Sequence, residues 1–349
     1  MIRTPLRTAF MITLIFLFYQ GSAQEQEKSK EKYDVTKDPE VIAAINKAMN
    51  NPVSELFILQ SQVDFTQIAF PQPQQLHVDN GTITITPGKS VAKWQARYTF
   101  IPTFPVPISK KWNLVSRIAI PFVNMPLNEE LGNVISSTPG GILADSTLRA
   151  TVKNPFGQTK GMGDLIYVGL FAPKESVTTG SGSTIFYGFG PTVMMPTASK
   201  DILGTGTWAA GPAAVFGHMG KHWRVMAIAQ QYWSLNKSYS GKEVNFLTAQ
   251  YGLFYMPDPL WSIGMSPTVT MNWTAPPNEA LTFPIGFGFN HTVYLGPLPV
   301  LIGAEAQYAV GHPETYPSSR TNFRIYIVPV IPAPWSNLGK TIKAKMAQH

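Results

Sequence analysis

The sequence has no cysteine among its 349 residues. This excludes disulfides, thiolate metal sites and a cysteine nucleophile. Charged residues make up only 13% of the chain, about half of the roughly 25% typical of soluble domains. Even so, the interior contains no run of about 18 apolar residues, which a membrane-spanning helix would need. The sequence therefore excludes a helical membrane protein, and its surface is not that of an ordinary soluble domain.

The chain also lacks a concentrated block of positive charge. The formal net charge is +7, but the only local basic cluster is Lys340, Lys343 and Lys345. A nucleic-acid-binding arm would need a longer run of like charges. We therefore expect a solvated basic tail over 333–349 and no nucleic-acid partner.

The N-terminus has the pattern of a secretory signal peptide. Arg3 and Arg7 form a basic region, 9–19 is apolar, and the small residues Gly21-Ser22-Ala23 follow. We expect a signal peptide over 1–23 with cleavage near Ala23. A membrane anchor is the less favoured alternative, because the apolar run is short. Export of a chain without cysteine fits the envelope of a Gram-negative bacterium.

The next segment, 24–53, begins with many charged residues and then predicts a short helix over 39–50. Asp38 can cap the helix, and Pro39 suits its first turn. An apolar stripe at helical spacing supports the prediction; it consists of Val41, Ile42, Ile45 and Met49.

The most informative segment is 260–273, where apolar and polar residues alternate without exception. The odd positions are Trp261, Ile263, Met265, Pro267, Val269, Met271 and Trp273. The even positions are Ser262, Gly264, Ser266, Thr268, Thr270 and Asn272. Alternate side chains of a strand point to opposite faces. An apolar face of this length, with an aromatic residue near each end, is typical of a membrane-spanning barrel strand.

The same period of two recurs through 54–332 and predicts twelve strands: 56–68, 92–103, 111–122, 162–172, 183–195, 207–217, 221–233, 244–256, 260–273, 282–294, 298–309 and 322–332. Short connections follow the even-numbered strands, and mostly longer ones, such as 69–91 and 123–161, follow the odd-numbered strands. Outer-membrane barrels alternate tight periplasmic turns with longer outer loops. We therefore predict an all-β fold, a closed antiparallel transmembrane β-barrel of about twelve strands with a short N-terminal helix. Both termini, including 333–349, would then lie in the periplasm.

Charged residues within the predicted strands fall on the polar, lumen-facing parity, as expected if a charge facing lipid costs about 2–4 kcal/mol at the midplane. They are Asp64, Arg97, Arg117, Asp164, Arg224, Glu305 and Arg324. All but Arg224 lie on one contiguous arc of strands, while the eighth to tenth strands present glycine, serine, threonine and asparagine. We therefore predict a lumen with one mixed-charge wall and one smooth wall.

Two interpretations of these charges stay open. They could line a constriction that orients a solute, or they could form a salt-bridge lattice that fills a narrow barrel, since twelve strands lie between filled and open barrels. The loop 123–161 and the helix 39–50 could each fold inward as a plug or stay at the surface.

Other motifs give little indication of chemistry. His218 and His222 flank a tight turn, so a metal site there is improbable, and no cofactor is expected. A lipid-modifying outer-membrane enzyme would need serine, histidine and an acid on adjoining outward positions. His291 alone is placed on the lipid-facing parity near a strand end, so this alternative is the weakest.

Several motifs carry a family resemblance. They are Met162-Gly-Asp-Leu-Ile-Tyr-Val-Gly-Leu-Phe, Gly188-Phe-Gly-Pro-Thr-Val-Met-Met-Pro-Thr-Ala, Leu203-Gly-Thr-Gly-Thr-Trp-Ala-Ala-Gly-Pro-Ala-Ala-Val, Asn51-Pro-Val-Ser-Glu-Leu, Lys111-Trp-Asn-Leu-Val-Ser-Arg and His222-Trp-Arg-Val-Met-Ala. Over 51–332 the chain resembles the outer-membrane proteins of the family named for the MetA-pathway of phenol degradation. The resemblance implies an outer-membrane β-barrel similar to porins and transporters of hydrophobic compounds, with no catalytic residues.

We therefore expect a passive channel for small aromatic or amphipathic compounds in the outer membrane of a Gram-negative bacterium. Its partners would be the lipid bilayer, lipopolysaccharide, a small-molecule solute and, during biogenesis, the barrel-assembly machinery. The alternative is a structural or interaction barrel with a filled lumen and a binding loop at 123–161.

Overall fold

The computed structural model describes residues 38, 41, 45, 53–79, 82–129, 156–180, 182–236, 243–296, 298–336, 339–341 and 344. The chain divides into two compact units, one of Asp34–Ile342 and one of Met1–Tyr33 with Lys343–His349. All secondary structure given below belongs to the first unit. The predicted signal peptide lies outside the described residues, as do most of the charged N-terminal segment and part of the basic tail.

The described chain is almost entirely β-structure. Its strands are β1 Leu56–Asp79, β2 Thr82–Pro107, β3 Trp112–Met125, β4 Thr159–Met162, β5 Leu165–Pro173, β6 Val177–Thr178, β7 Thr184–Met195, β8 Ala209–Met219, β9 Trp223–Ser234, β10 Asn245–Tyr255, β11 Trp261–Met265, β12 Thr268–Asn272, β13 Leu281–Leu295, β14 Leu298–Gly311 and β15 Ser318–Pro332. Two single 3₁₀ turns, Asp201–Leu203 and Pro277–Glu279, lie in loops. No helix among the described residues is long and apolar enough to span a bilayer.

The strands form one closed antiparallel barrel. Each strand position pairs with the next around the wall, and β15 pairs with β1 to close the ring. β4 and β5 share one position beside β3, β11 and β12 share another beside β10, and the two-residue β6 only extends the pairing of β7. The wall therefore has twelve strand positions, and each contains one of the twelve predicted strands. The prediction of a twelve-stranded barrel is confirmed.

Short and long connections alternate around the barrel and define its two ends. The short-turn end carries 108–111, 174–183, 220–222, 256–260 and 296–297. The long-loop end carries 126–158, 196–208, 235–244, 273–280 and 312–317. The central part of the predicted loop 123–161, residues 130–155, lies outside the described residues.

One connection differs from the prediction. We predicted a loop over 69–91, but β1 and β2 run on as a hairpin that reaches the pair Asp79↔Thr82, with two register shifts between Phe70 and Gln75. The run Thr82-Ile-Thr-Ile-Thr explains the extension, because β-branched residues favour strands. The extra length projects beyond the barrel wall.

A second difference concerns the segment 260–273, predicted as one strand. It is interrupted at Ser266 and Pro267, which separate β11 from β12. Proline has no N–H to donate to a neighbouring strand. The alternation of faces continues through the break, because β11 and β12 keep the same register against β10, as in Leu253↔Met265 and Gln250↔Thr268.

The outer face of the barrel is apolar and the inner face polar, the reverse of a soluble protein. Trp261 and Trp273 are exposed outside, whereas Ser262 is buried inside, as the alternation predicted. Large apolar side chains exposed on the outer face include Phe65, Phe122, Phe189, Phe216, Ile285, Phe287, Phe289, Phe323 and Ile325. The inner face buries polar residues such as Gln62, Gln95, Thr99, Asn290 and Arg324.

The tryptophans mark two belts. Trp112, Trp223, Trp261 and Trp335 lie near the short-turn end, and Trp94, Trp208, Trp233 and Trp273 lie near the long-loop end. All eight tryptophans of the chain are thus accounted for. Aromatic girdles of this kind flank the lipid-facing band of membrane barrels.

Val53, just ahead of β1, lies inside the short-turn end of the barrel. Val41 and Ile45 are helical and buried, and the N–H of Val41 donates to Asp38 Oδ1 over 3.2 Å, as predicted for a cap. The rest of the predicted helix 39–50 lies outside the described residues. Val53 packs among inward-facing side chains of β3, β5, β7, β8 and β9, although the chain joins the wall only at β1, on the other side of the lumen.

Candidate functional site

The lumen contains two cavities in series. The upper cavity has a volume of about 530 Å³ and lies toward the long-loop end, where Ile68, Phe70, Met125 and Leu127 contribute to its lining. The lower cavity has a volume of about 160 Å³ and is lined by residues such as Arg224 and Phe254 near the short-turn end. Both cavities are lined by Gln62, Arg117, Gln250 and Arg324. A single layer of side chains, the septum, therefore separates them.

A row of alternating charges crosses four neighbouring strands near this septum. Glu305 on β14 is the register partner of Arg324 on β15. Arg324 is in turn the partner of Asp64 on β1, and Asp64 is the partner of Arg97 on β2. Register partners point to the same side of a sheet, so all four side chains point into the lumen. The predicted charged wall thus contains an ordered row, which the sequence did not specify.

Asp64 has several donors around its carboxylate. Its Oδ1 accepts from Arg324 Nε at 2.8 Å and from Asn322 Nδ2 at 2.9 Å. Its Oδ2 accepts from Gln62 Nε2 at 2.5 Å. Charge-assisted hydrogen bonds are the stronger class, so Asp64 and Arg324 are held in fixed positions at the seam of the barrel.

Glu305 accepts hydrogen bonds from Ser266, at the break between β11 and β12. The N–H and the hydroxyl of Ser266 donate to its two carboxylate oxygens, each over 2.8 Å. The carbonyl of Ser266 accepts from Gln250 Nε2 and from Arg324 Nη1, each over 3.1 Å. The peptide groups of Ser266 are thereby turned toward lumen side chains, and they link the smooth wall to the charged wall.

Arg97 and Arg117 are arranged differently. Within the part of the chain that the structure describes, neither guanidinium has a hydrogen-bond or ion-pair partner, although both line the upper cavity. Arg97 is exposed to the lumen, and Arg117 is half-buried in the septum. Each therefore keeps its hydrogen-bond donors directed at space that a solute can occupy.

Arg224 lies beside the lower cavity, near the short-turn end. Its guanidinium sits over the ring of Phe254, 4.3 Å from the ring centroid, a cation–π contact. Tyr326 lines the same cavity, and its hydroxyl accepts a hydrogen bond from Asn290 Nδ2 at 3.3 Å. Tyr326 has no hydrogen bond to a carboxylate among the described residues. The lower cavity is thus also a cationic space.

The short-turn end of the lumen has an apolar floor. One part is the cluster of Val53, Val115, Val168, Leu170, Ala172, Phe186, Ala213, Val215 and Ile228. Another part is formed by Leu56, Val328 and Val330. Water and ions cross such a packed layer poorly, so the N-terminal approach at Val53 helps to close this end.

Two predicted lumen residues, Glu305 and Asp164, line neither cavity. Glu305 contacts Ser266 of the lower cavity, whereas Asp164 lies apart. The Oδ1 of Asp164 accepts from the N–H of Ala198, and its Oδ2 accepts from the N–H and the hydroxyl of Thr205. The carboxylate therefore fixes the loop 196–208, a role that parity could not predict.

Several lumen residues were not among the predicted site residues. Arg320 lines the upper cavity, but it lay in the predicted loop 310–321 and had no strand parity to assign it. Asn322, Gln62 and Gln250 have the inward parity of their strands. A search of the inward-facing strand positions for all long polar side chains, and not for charged ones alone, would have found them.

The wall predicted to be smooth carries short side chains at several positions, although Gln250 and Phe254 also project from it. Thr248, Thr268 and Thr270 line the upper cavity, and Gly252 and Asn290 line the lower one. The short side chains on these strands leave open space in the lumen. The arginine side chains of the opposite wall are directed at this space.

Among the described residues, the histidines show no metal or nucleophile arrangement. No group of three potential metal ligands occurs among the described residues. His222 Nδ1 lies 3.2 Å from the carbonyl of Met256. His291 stacks on Trp261 at 4.1 Å, with Nδ1 3.3 Å from the carbonyl of Leu260. Its contacts among the described residues include neither a serine hydroxyl nor a carboxylate.

Known proteins resemble this chain in architecture and not in sequence. No family model matches the chain, and no curated protein matches it. An outer membrane channel from Pseudomonas putida F1 is similar over 78% of this chain and 95% of that one, with 16% identity and a TM-score of 0.49. The toluene transporter TbuX of Ralstonia pickettii is similar over 81% of this chain and 92% of its own, with 9% identity and a TM-score of 0.36. Phospholipase A of the Escherichia coli outer membrane is similar over 88% and 95%, with 8% identity and a TM-score of 0.36. Similarity at this level favours no single function, which must be inferred from the chain's own residues.

Proposed function

We propose that this protein is an outer-membrane channel for the passive movement of small aromatic or amphipathic compounds. One observation carries the proposal: a lumen with two cavities in series, enclosed by a barrel whose outer face is apolar. A lumen filled by a salt-bridge lattice would leave no such space. The septum of Gln62, Arg117, Gln250 and Arg324 is then the constriction at which a solute is selected.

The proposed location follows from the same outer face. An apolar belt between two tryptophan girdles suits a bilayer, and closed barrels leave no unpaired strand edge in lipid. We infer residence in the outer membrane of a Gram-negative bacterium, after export and cleavage of the signal peptide near Ala23. Lipid, lipopolysaccharide and the barrel-assembly machinery are the proposed partners, and short turns facing the periplasm give the proposed orientation.

Membership of the family named for the MetA-pathway of phenol degradation is part of this proposal. It rests on the motifs of 51–332. The lining of the upper cavity supports an aromatic or amphipathic solute, because apolar residues such as Ile68 and Leu127 share it with threonine, glutamine and arginine side chains.

Conductance and solute flux test the proposal. Purified protein in planar bilayers should give discrete current steps, and proteoliposomes should swell in small solutes. The double variant Arg117→Ala with Arg324→Ala removes two charges from the septum and should shift the reversal potential toward cations. The control Lys111→Ala removes one charge from an exposed turn and should leave the reversal potential unchanged. Absence of both current and flux in the wild type contradicts the channel.

One observation favours the alternative of a closed barrel. The apolar floor around Val53 narrows the short-turn end, as it would in a barrel that serves only as a scaffold for the loop 123–161. Deletion of 130–155 distinguishes the two functions. A scaffold would lose partner binding at unchanged permeability, whereas a channel would change its permeability.

A further inference from the structure

The lower cavity has the size of a single aromatic ring. Its volume is about 160 Å³, and an apolar protein cavity of about 150 Å³ can hold benzene. The upper cavity, at about 530 Å³, has room for much larger solutes. The two cavities therefore differ in the compounds they can accept, and the lower one sets the narrower limit.

Tyr326 forms one flat surface of the lower cavity. It is the register partner of Gly303, which is in turn the register partner of Asn290. A Cβ atom on Gly303 would overlap Tyr326 Cζ, so the ring lies directly against the backbone of β14. The hydroxyl reaches on to β13, where it accepts from Asn290 Nδ2 at 3.3 Å. One face of the ring therefore lies against the wall, and the other is turned toward the cavity that Tyr326 lines.

Arg224 and Phe254 provide a second flat surface. Both residues line the lower cavity, and they are register partners on β9 and β10. The guanidinium lies 4.3 Å from the centroid of the Phe254 ring, so the two groups form one stack. Planar ligands pack well against aromatic rings and against guanidinium groups. The lower cavity thus has two surfaces that suit a planar ligand.

The apolar and polar parts of the lining lie at opposite ends of this cavity. Toward the short-turn end, Val328 belongs to the apolar floor, and Ile58 and Leu301 pack against it. Toward the upper cavity is Arg117 of the septum, whose guanidinium has no hydrogen-bond or ion-pair partner within the described ranges. A guanidinium can only donate hydrogen bonds. The septum therefore suits the acceptor atom of a ligand, and the floor suits its apolar part.

From these features we propose that the lower cavity binds compounds with a single aromatic ring and one oxygen substituent. The ring packs against Tyr326 and the stack of Arg224 and Phe254, and the oxygen accepts from Arg117. The inference rests on the proposed channel function and narrows its substrate class. A second fused ring would exceed the volume of the cavity, and a saturated ring would lose the flat contacts.

Calorimetric titration of the full chain in detergent, corrected for titration into detergent alone, tests the site independently of transport. The probe is benzyl alcohol. It is compared with cyclohexylmethanol, which lacks the flat ring, with 2-naphthylmethanol, which has a second ring, and with toluene, which lacks the oxygen. We expect cyclohexylmethanol to bind about threefold to tenfold more weakly than benzyl alcohol. We expect 2-naphthylmethanol to bind about tenfold more weakly or worse.

Two glycine variants on β14 form a matched pair. Gly303→Ala places a Cβ atom where the ring of Tyr326 lies, so the ring must move into the cavity, and benzyl alcohol should bind about tenfold more weakly. A Cβ atom at Gly311 would meet only Phe283 Cβ, at 3.6 Å, so Gly311→Ala should keep the wild-type affinity. Arg117→Met should weaken benzyl alcohol by about tenfold and should not weaken toluene.

Heat-modified migration on gels shows that each variant still forms the barrel, and Arg117→Met decides the test if Gly303→Ala does not fold. The proposal is overturned if cyclohexylmethanol or 2-naphthylmethanol binds as tightly as benzyl alcohol, or if the wild type does not bind benzyl alcohol. It is also overturned if Arg117→Met weakens toluene as much as benzyl alcohol, or if folded Gly303→Ala keeps the wild-type affinity. Liposome flux separates the site from the channel function. Binding without flux of any solute contradicts the channel and leaves the site, whereas flux without binding contradicts the site alone.

Discussion

Arg324 on the last strand and Asp64 on the first are register partners, and Arg324 Nε donates to Asp64 Oδ1 over 2.8 Å across the seam that closes the barrel. The backbone pairing and the ion pair therefore fix the same two strands. Both side chains are only 10% exposed, so the pair is shielded from screening by solvent.

Replacing Asp64 by Asn should destabilise the barrel by leaving Arg324 without its charged partner. Removal of one member of a buried ion pair typically costs about 3–5 kcal/mol. Urea unfolding of the protein from liposomes measures the free energy of unfolding. In an Arg324→Gln background the same change should cost much less, and a cost of only about 1 kcal/mol in the wild-type background, as for an exposed pair, would contradict the assignment.

Ser266→Ala should cost more than Ser262→Ala on the same face of the same strand position. Ser266 Oγ donates to Glu305 Oε2, and a hydrogen bond to a charged group contributes about 1.5–3 kcal/mol. Ser262 is buried too, but it has no hydrogen bond to a carboxylate among the described residues. Equal losses in the free energy of unfolding for the two variants would show that Glu305 does not depend on the serine hydroxyl.

Val53→Asp should open the apolar floor. A carboxylate among Val115, Phe186 and Ile228 cannot stay unsolvated, so water should enter the cluster and single-channel conductance should rise. The matched control is Val177→Asp, because Val177 lies at the same end but is exposed. If conductance is equal in the wild type and in Val53→Asp, the floor is not the barrier to current.

Phe287→Arg tests the position of the bilayer on the outer face. Phe287 is 68% exposed near the middle of β13, where an arginine facing lipid should cost about 2–4 kcal/mol. Leu295→Arg, at the end of the same strand, should cost only about 0–1 kcal/mol. Unfolding from liposomes compares the two, and the reverse order would place the midplane elsewhere.

The strand order and the inward or outward direction of most side chains could be predicted from the sequence, because a period of two and the length of the turns are local properties. The contacts that a side chain makes at its height along the barrel axis could not be predicted. Asp164 was predicted to face the lumen like Asp64, yet it binds the loop 196–208, because it lies in the break between β4 and β5 near the long-loop end.

Pro267 is a local signal for the break at Ser266, because proline has no N–H for the ladder. What the peptide groups of Ser266 bind instead was beyond local reasoning, because Glu305 and Arg324 reach them from other strands. For the same reason, the charges predicted as one wall gave no indication that Arg324 would be bound while Arg97 would not. Pairing among charges depends on register, which single strands do not reveal.

The location of Val53 inside the wall has a consequence for how the chain is put together. Residues 53–55 lead directly to Leu56, whose register partner is Pro332 near the end of the last strand. Only two residues separate Val53 from Leu56, so the apolar floor is tied covalently to the seam. A change that displaces β1 from β15 should therefore also displace Val53 from its cluster, and the closure of the ring and the closure of its end are coupled.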